Sequence, residues 1–248
     1  MRDDSRVCVF TLHRITDERA RDHDLSWASF RAFLRDVREG PGEAVAELDL
    51  RGTEAARAVV TFDDSTDDHR AAAEELIAHG LTGLFFVPTA KIGERGRLRA
   101  DDVAQLARDG HTIGSHADRH VPLAPLSTTE VEREVVHSKD RLSELVGGPP
   151  RYFAPPGGIG HPELPAILAR HGFVASRSMR WGVHRPGDDP WQIACIPVTE
   201  VTLARGWVRS ALAHGRLPGG MRAAWLVKST LPRPVAGALR RALHGVPA

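Results

Sequence analysis

The sequence is poor in cysteine, lysine, net charge and long apolar runs, and each shortage excludes something. Cys8 and Cys195 are the only cysteines, each inside an apolar run, so no disulfide framework is implied and both read as buried, reduced thiols. No apolar stretch approaches the roughly 18 residues of a membrane-spanning helix. The opening MRDDSRVCVFTLHR has acidic residues where a signal peptide has an apolar core, so a cytoplasmic protein without a transmembrane segment is the expectation. A formal charge of +1 supplies no field to gather nucleic acid, and no nucleic-acid partner is expected. Lysine occurs only at Lys91, Lys139 and Lys228, which leaves cationic chemistry almost wholly to arginine. Internal repeats and low-complexity linkers are absent too. What remains is a chain of 248 residues with ordinary apolar and charged fractions, long enough for one sizeable core.

Its pattern alternates. Arg6 to Leu12, Ala58 to Phe62, Leu84 to Val87, His111 to Ser115, Tyr152 to Ala154, Phe173 to Ser176 and Ile193 to Val198 read as strands, with a shorter one around Leu48 to Leu50. Helices are expected over Trp27 to Arg38, Asp68 to His79, Arg99 to Arg108, Ser127 to Val146 and His161 to His171. Ser127 and Glu130 match a capping box, and Ser65-Thr66-Asp67-Asp68 reads as an N-cap cluster. Strand–helix alternation with short connections argues for parallel βαβ units with right-handed crossovers, closed as a barrel. Residues 1–204 form that domain and 205–248 a helical appendage. The appendage carries Trp207, Trp225, Leu226, Val227 and Leu231 among arginines, so it docks on the barrel, makes a homodimer contact or touches a membrane surface.

Chemistry gathers at three places. Asp63 and Asp64 end a buried strand, where α/β folds place their reactive groups, and side-chain alternation points them in different directions. One carboxylate is then free to hold a metal while the other handles protons. His116 and His120, four apart on one turn just beyond another strand, present imidazoles to a common point. With one carboxylate of the pair they make a facial set of two imidazoles and one carboxylate, which leaves positions open for water and substrate. Arg151-Tyr152-Phe153-Ala154-Pro155-Pro156-Gly157-Gly158 is a rigid loop beyond a third strand, able to aim backbone N–H groups into a cleft, with Arg151 available to hold the other Asp ionised.

TFDD at 61–64, HADRH at 116–120 and RYFAPPGG at 151–158, in this order, resemble the first three motifs of the polysaccharide deacetylase family, the NodB-homology or family 4 carbohydrate esterases. Leu12-His13-Arg14-Ile15 is similar to the strand end that opens many of them. The likeness covers roughly residues 6 to 200. It implies a deformed (β/α) barrel of about seven parallel strands with the C-terminal helices appended. It also implies Asp63 as catalytic base, Asp64, His116 and His120 as ligands of a divalent ion, most commonly Zn2+, Arg151 as the group orienting Asp63, and the Gly157 N–H as oxyanion donor. The implied activity is metal-dependent removal of an N-acyl group, usually acetyl, from an amino sugar in a glycan, glycolipid or secondary-metabolite precursor. Deformylation or other C–N hydrolysis, and sugar binding with little turnover, are the alternatives.

The chain departs from the family at several positions. Ser65 stands where Gly is usual, Ala117 where Ser or Thr is usual, and Gly157 where an aromatic is usual. A fourth motif is matched only by Asp188-Asp189-Pro190-Trp191, which also reads as a plain turn before a buried Trp. The fifth, a Leu-x-His at a late strand end supplying the general acid, is matched in letters by Leu212-Ala213-His214, within a stretch that reads as helix. His13, His161 and His184 are the other candidates. His13 is favoured because it ends the first strand, and a capping or core role is its alternative.

Overall fold

The computed structural model describes residues 6–18, 21–48, 56–215 and 217. Its elements run in the order β1 (Arg6–Leu12), α1 (Trp27–Glu39), β2 (Glu43–Ala44), β3 (Ala56–Phe62), α2 (His69–Ala78), β4 (Gly83–Val87), α3 (Ala100–Arg108), β5 (Thr112–Ser115), α4 (Thr128–Val146), β6 (Tyr152–Phe153), α5 (Leu164–Arg170), β7 (Ala175–Trp181), β8 (Ile193–Pro197), α6 (Glu200–Ala204) and α7 (Trp207–His214). Strand order is β1-β8-β7-β6-β5-β4-β3, and a seven-residue parallel ladder from Arg6↔Ala56 to Leu12↔Phe62 joins β1 back to β3. The result is a closed barrel of seven parallel strands with helices outside. Short β2 lies beside the start of β3. Closure is uneven. β5 meets β6 at one registered pair, Ser115↔Phe153, and β7 meets β8 across a register shift between Arg177 and Trp181.

Period-two alternation sorts the side chains into two layers. Val7, Val9, Val59, Leu84, Phe86, Tyr152, Ala154, Ala175, Ile193 and Cys195 pack together inside the barrel. The intervening Phe10, Leu12, Val60, Phe62, Phe85 and Ile196 face outward and join Phe30, Phe33, Leu34 and Val37 of α1 and Leu76 of α2. Phe62 and Phe85 stack at 4.6 Å, and fully burying one such ring is worth about 2–3 kcal/mol. Both thiols are buried and free, and burial pushes the Cys8 thiol up to about 11.

Local sequence signals hold where the interaction is itself local. Ser127 and Glu130 form the expected reciprocal capping box at the start of α4. The cluster before α2 behaves differently. Asp68 makes no cap, because its carboxylate accepts the backbone N–H of Ile15 at 2.7 Å and ties the loop after β1 to this turn. The short extended segment is Glu43–Ala44; Leu48 is buried without being in a strand, and Asp49 and Leu50 lie outside the described residues. Of the appendage, α7 packs on the barrel through Val208, Ala211 and Leu212, with Arg6 donating to the Leu212 carbonyl. Trp225, Leu226, Val227 and Leu231 lie outside the described residues.

Candidate active site

Asp63 continues the β1–β3 ladder one step past β3, its N–H donating to Leu12 O, so its side chain enters the barrel lumen and is 3% exposed. At Asp64 and Ser65 the backbone turns into the left-handed region, with φ of 75° and 48°. That turn, rather than strand alternation, separates the two carboxylates. It also accounts for glycine being usual where Ser65 stands. The turn is held by Arg97, which donates to Asp64 O, and by Leu98 N–H donating to Ser65 O at 2.9 Å.

Asp64, His116 and His120 converge, with one donor atom of each within 4.8 Å of the others. Asp64 Oδ1 lies 2.9 Å from His120 Nε2 and 3.5 Å from His116 Nε2. His116 donates its Nδ1–H to Ala154 O at 2.6 Å, which leaves Nε2 as the nitrogen on the Asp64 side. Two imidazole nitrogens and a carboxylate oxygen are the donor set that zinc and similar ions take, so these residues fit a divalent cation. Burial pushes the Asp64 carboxyl up, but hydrogen bonds with His116 and His120 bring it far below the usual range. The histidine pair does not sit on a helical turn. The 116–120 segment is irregular, with φ of 62° at Ala117 and 60° at His120.

The structure does not bring Arg151 to Asp63. Arg151 precedes β6 and stands three residues, roughly 10 Å, short of the strand's exit at Ala154. It is exposed, with its guanidinium 5.7 Å from the Tyr152 ring centroid. Asp63 pairs instead with Arg177 of β7, inside the lumen, both side chains being almost fully buried. Arg177 also lies 5.2 Å over the Phe86 ring and within 3.0 Å of Met179 Sδ. Space for it comes from small neighbours. Ala154 is next in register beside Arg177, and at Gly114 a Cβ would sit 2.6 Å from the Phe86 ring. Burial alone would raise the Asp63 carboxyl, but the Arg177 charge, helped by His116 and His13, brings it below its ordinary value.

His13 leaves β1 toward the same pair, its Nε2 4.0 Å from Asp63 Oδ2. Burial pulls its imidazole down to about 4, against the opposing pull of Asp63 and Asp64. Its carbonyl is bound by the ring of buried His69, and its ring lies 4.8 Å from that of His23. The remaining histidine candidates lie elsewhere. His214 is exposed at the end of α7, whose Leu212 carbonyl is bound by Arg6 at the opposite end of β1. His184 pairs through its backbone with Val7, again far from the strand exits. His161 accepts from Glu163 N–H before α5. The last strand ends at Pro197-Val198, with no imidazole. Gly157 lies exposed in the turn Pro156–Gly158 at φ 69°. Asp188 and Asp189 cap their own turn by accepting from Arg185 and Trp191 N–H, and Trp191 packs part-buried against the cluster of Phe153, Leu164 and Leu168.

Sequence reasoning missed Arg177, Arg97 and His23. The signal for Arg177 was available in period two: Ala175, Arg177 and Met179 share one face of a strand that runs five residues beyond the expected end at Ser176.

A sequence model of the family described as polysaccharide deacetylase matches residues 51–176, half of the chain. The chain belongs to the polysaccharide deacetylase family. A peptidoglycan-N-acetylglucosamine deacetylase of Bacillus cereus is 29% identical over 169 residues, which are 66% of this chain and 58% of that protein. A chitin deacetylase of Arthroderma benhamiae is 29% identical over 117 residues, 46% of this chain and 30% of that protein. The chain therefore spans at most 58% of the length of these two relatives. Among solved structures, IcaB from Ammonifex degensii matches with a TM-score of 0.74 at 24% identity, covering 83% of this chain and 97% of that one. The Streptococcus pyogenes deacetylase PplD in complex with acetate matches with a TM-score of 0.72 at 16% identity, covering 78% and 92%. At these identities the structural likeness shows the fold shared with family members.

Proposed function

We propose that this chain is a metal-dependent deacetylase that hydrolyses the N-acyl group, in the first instance N-acetyl, of an amino sugar in a glycan, glycolipid or secondary-metabolite precursor. The observation that carries this reading is the adjacency of two differently prepared carboxylates. Asp64 joins His116 and His120 in a set that fits a cation, and Asp63 is held ionised by Arg177. A divalent ion there, with zinc the first choice for this donor set, supplies Lewis acidity toward an acyl carbonyl and a water.

The chain's own residues then divide the proton work. Asp63 takes a proton from the water that attacks the acyl carbon. The Gly157 N–H is the donor we assign to the oxygen that gains charge, because its loop follows Ala154, whose carbonyl accepts from His116. When the C–N bond breaks, the amine nitrogen must gain a proton. His13 is the group we assign to deliver it, on the ground that its Nε2 is 4.0 Å from the Asp63 carboxylate. The Arg177 charge keeps the proton affinity of Asp63 low, which favours release of the proton it has taken. The products are a free amino sugar and a carboxylic acid. A cavity of about 210 Å³ lined by Pro155, Gly158, His161, Ser176, Trp191 and Gln192 flanks this loop, and its mix of apolar and hydroxyl-bearing surface suits a sugar ring.

The test is to load the protein with zinc and offer N-acetyl and N-formyl amino sugars, free and as oligosaccharides or nucleotide-linked forms, while counting free amine and released acid. Equal amounts of amine and acetate are expected. Amine release with formate alone would reassign the chain as a deformylase. The pull of His13 down to about 4 favours the second reading, sugar binding with little turnover. Saturable binding without amine release from any sugar would establish it.

A further inference from the structure

Between the two ligand histidines the backbone is irregular, takes the left-handed conformation at Ala117 and His120, and has no helical ladder to hold it. For residues that carry a Cβ such a φ is unfavourable, so something must fix the turn. The fixing group comes from another element. Glu134, in the second turn of α4, is 2% exposed. Its Oε2 accepts the backbone N–H groups of Asp118 at 3.0 Å and Arg119 at 2.8 Å, and its Oε1 pairs with Arg119 Nε. The segment after β4 holds the carbonyl side of the same turn: Ala90 N–H donates to Asp118 O at 3.0 Å, Thr89 N–H to Ala117 O at 3.3 Å and Thr89 Oγ1 to Asp118 Oδ1 at 2.6 Å, while Ala117 N–H donates to Ser115 Oγ at 3.2 Å. Among the described residues, Glu134 alone takes the N–H groups of Asp118 and Arg119.

We propose that Glu134 is a positioning residue for the metal centre: its buried carboxylate gathers the two N–H groups midway between His116 and His120 and so sets the separation and aim of the two imidazoles. The proposal rests on the metal reading of Asp64, His116 and His120. It goes beyond that reading in assigning metal affinity to a side chain that touches no ligand atom. Oε2 alone accepts both backbone N–H groups, and an amide could present its carbonyl oxygen there with its NH2 toward the half-exposed Arg119, so the test must remove the acceptor altogether.

The experiment compares zinc affinity, measured by competition with a chromophoric chelator, for the wild-type chain, Glu134→Leu and Arg119→Ala. Glu134→Leu should weaken zinc binding about 10- to 100-fold, the usual cost of losing a group that supports metal ligands. Its turnover should recover in excess zinc, because the ligands themselves are intact. Arg119→Ala leaves both backbone contacts to Glu134 in place and should stay within about 3-fold, since that arginine is half exposed. Zinc affinity of Glu134→Leu within 3-fold of wild type would overturn the proposal. Amide exchange on the wild-type chain provides a check that needs no variant to fold. The Asp118 and Arg119 amides should be protected even without metal, and exchange at open-loop rates would overturn the proposal equally. A wild-type chain that retained neither zinc nor cobalt would remove the metal reading beneath it, a result distinct from either of these.

Discussion

Arg177 of β7 reaches through the barrel lumen to Asp63 at the end of β3, and the two form an ion pair from which solvent is excluded. Removing one member of such a pair leaves a buried charge without compensation, which costs about 3–5 kcal/mol. Arg177→Leu should therefore lower stability by that order in urea denaturation. Any activity that survives should have an acidic limb shifted to higher pH, because burial then acts on Asp63 without its main counter-charge. Arg151→Ala, at an exposed position, should keep turnover within about 3-fold. If Arg151→Ala abolished turnover and Arg177→Leu left it intact, the pairing drawn here would have no catalytic meaning.

The two neighbouring carboxylates should separate cleanly in a metal analysis. Asp64→Ala and His120→Ala each delete a donor from the three-residue set and should lose bound zinc on dialysis. Asp63→Asn should retain zinc but turn over at least about 100-fold more slowly, the scale of a lost general base. Stoichiometric metal content measured beside kcat decides this. Zinc loss in Asp63→Asn would merge the two roles.

His13 and His214 offer a direct contrast. His13→Asn should retain zinc and lose roughly 100-fold or more in kcat, as the leaving amine loses its proton source. His214→Ala should change kcat by less than about 2-fold, since His214 is exposed on α7. The measurement is kcat at saturating substrate across pH. A large loss in His214→Ala would return the acid role to the C-terminal helix.

Stability of the metal-free protein should fall as pH drops below about 6.5. His111 accepts the Gly83 N–H on its Nδ1 at 3.1 Å, a bond that only the neutral ring can make. Burial lowers its affinity for a proton. The sign follows from linkage: between the depressed folded value and the ordinary 6.5, the unfolded chain binds more protons, so acid favours unfolding. Full stability is present above about 6.5 and is lost progressively toward the folded value. His111→Asn, which keeps an acceptor near the same place, should flatten the slope of unfolding free energy against pH by up to about 1.4 kcal/mol per unit. An unchanged slope would show that His111 titrates normally.

The barrel was legible in the sequence because its causes are short-range. Period-two apolar runs such as Ala58 to Phe62, helix faces such as Phe30, Phe33, Leu34 and Val37, and the capping box at Ser127 and Glu130 each act within a few residues. The meeting of the Asp63-Asp64 pair with His116 and His120 was legible for a related reason: each follows a strand, and parallel strands deliver their exits to one rim, while the choice of Asp64 within the pair came from the family resemblance. What only the tertiary structure decided lies across the lumen or between layers. Arg151 sits in the right motif on the wrong end of β6, while Arg177 reaches Asp63 because barrel closure brings the inward faces of β3 and β7 together at a width set by Ala154, Phe86 and Gly114. The support of Asp118 and Arg119 by Glu134 likewise depends on α4 docking against the loop after β5. Such contacts join residues that no spacing rule relates, because their separation is fixed by packing and not by the pitch of a strand or helix.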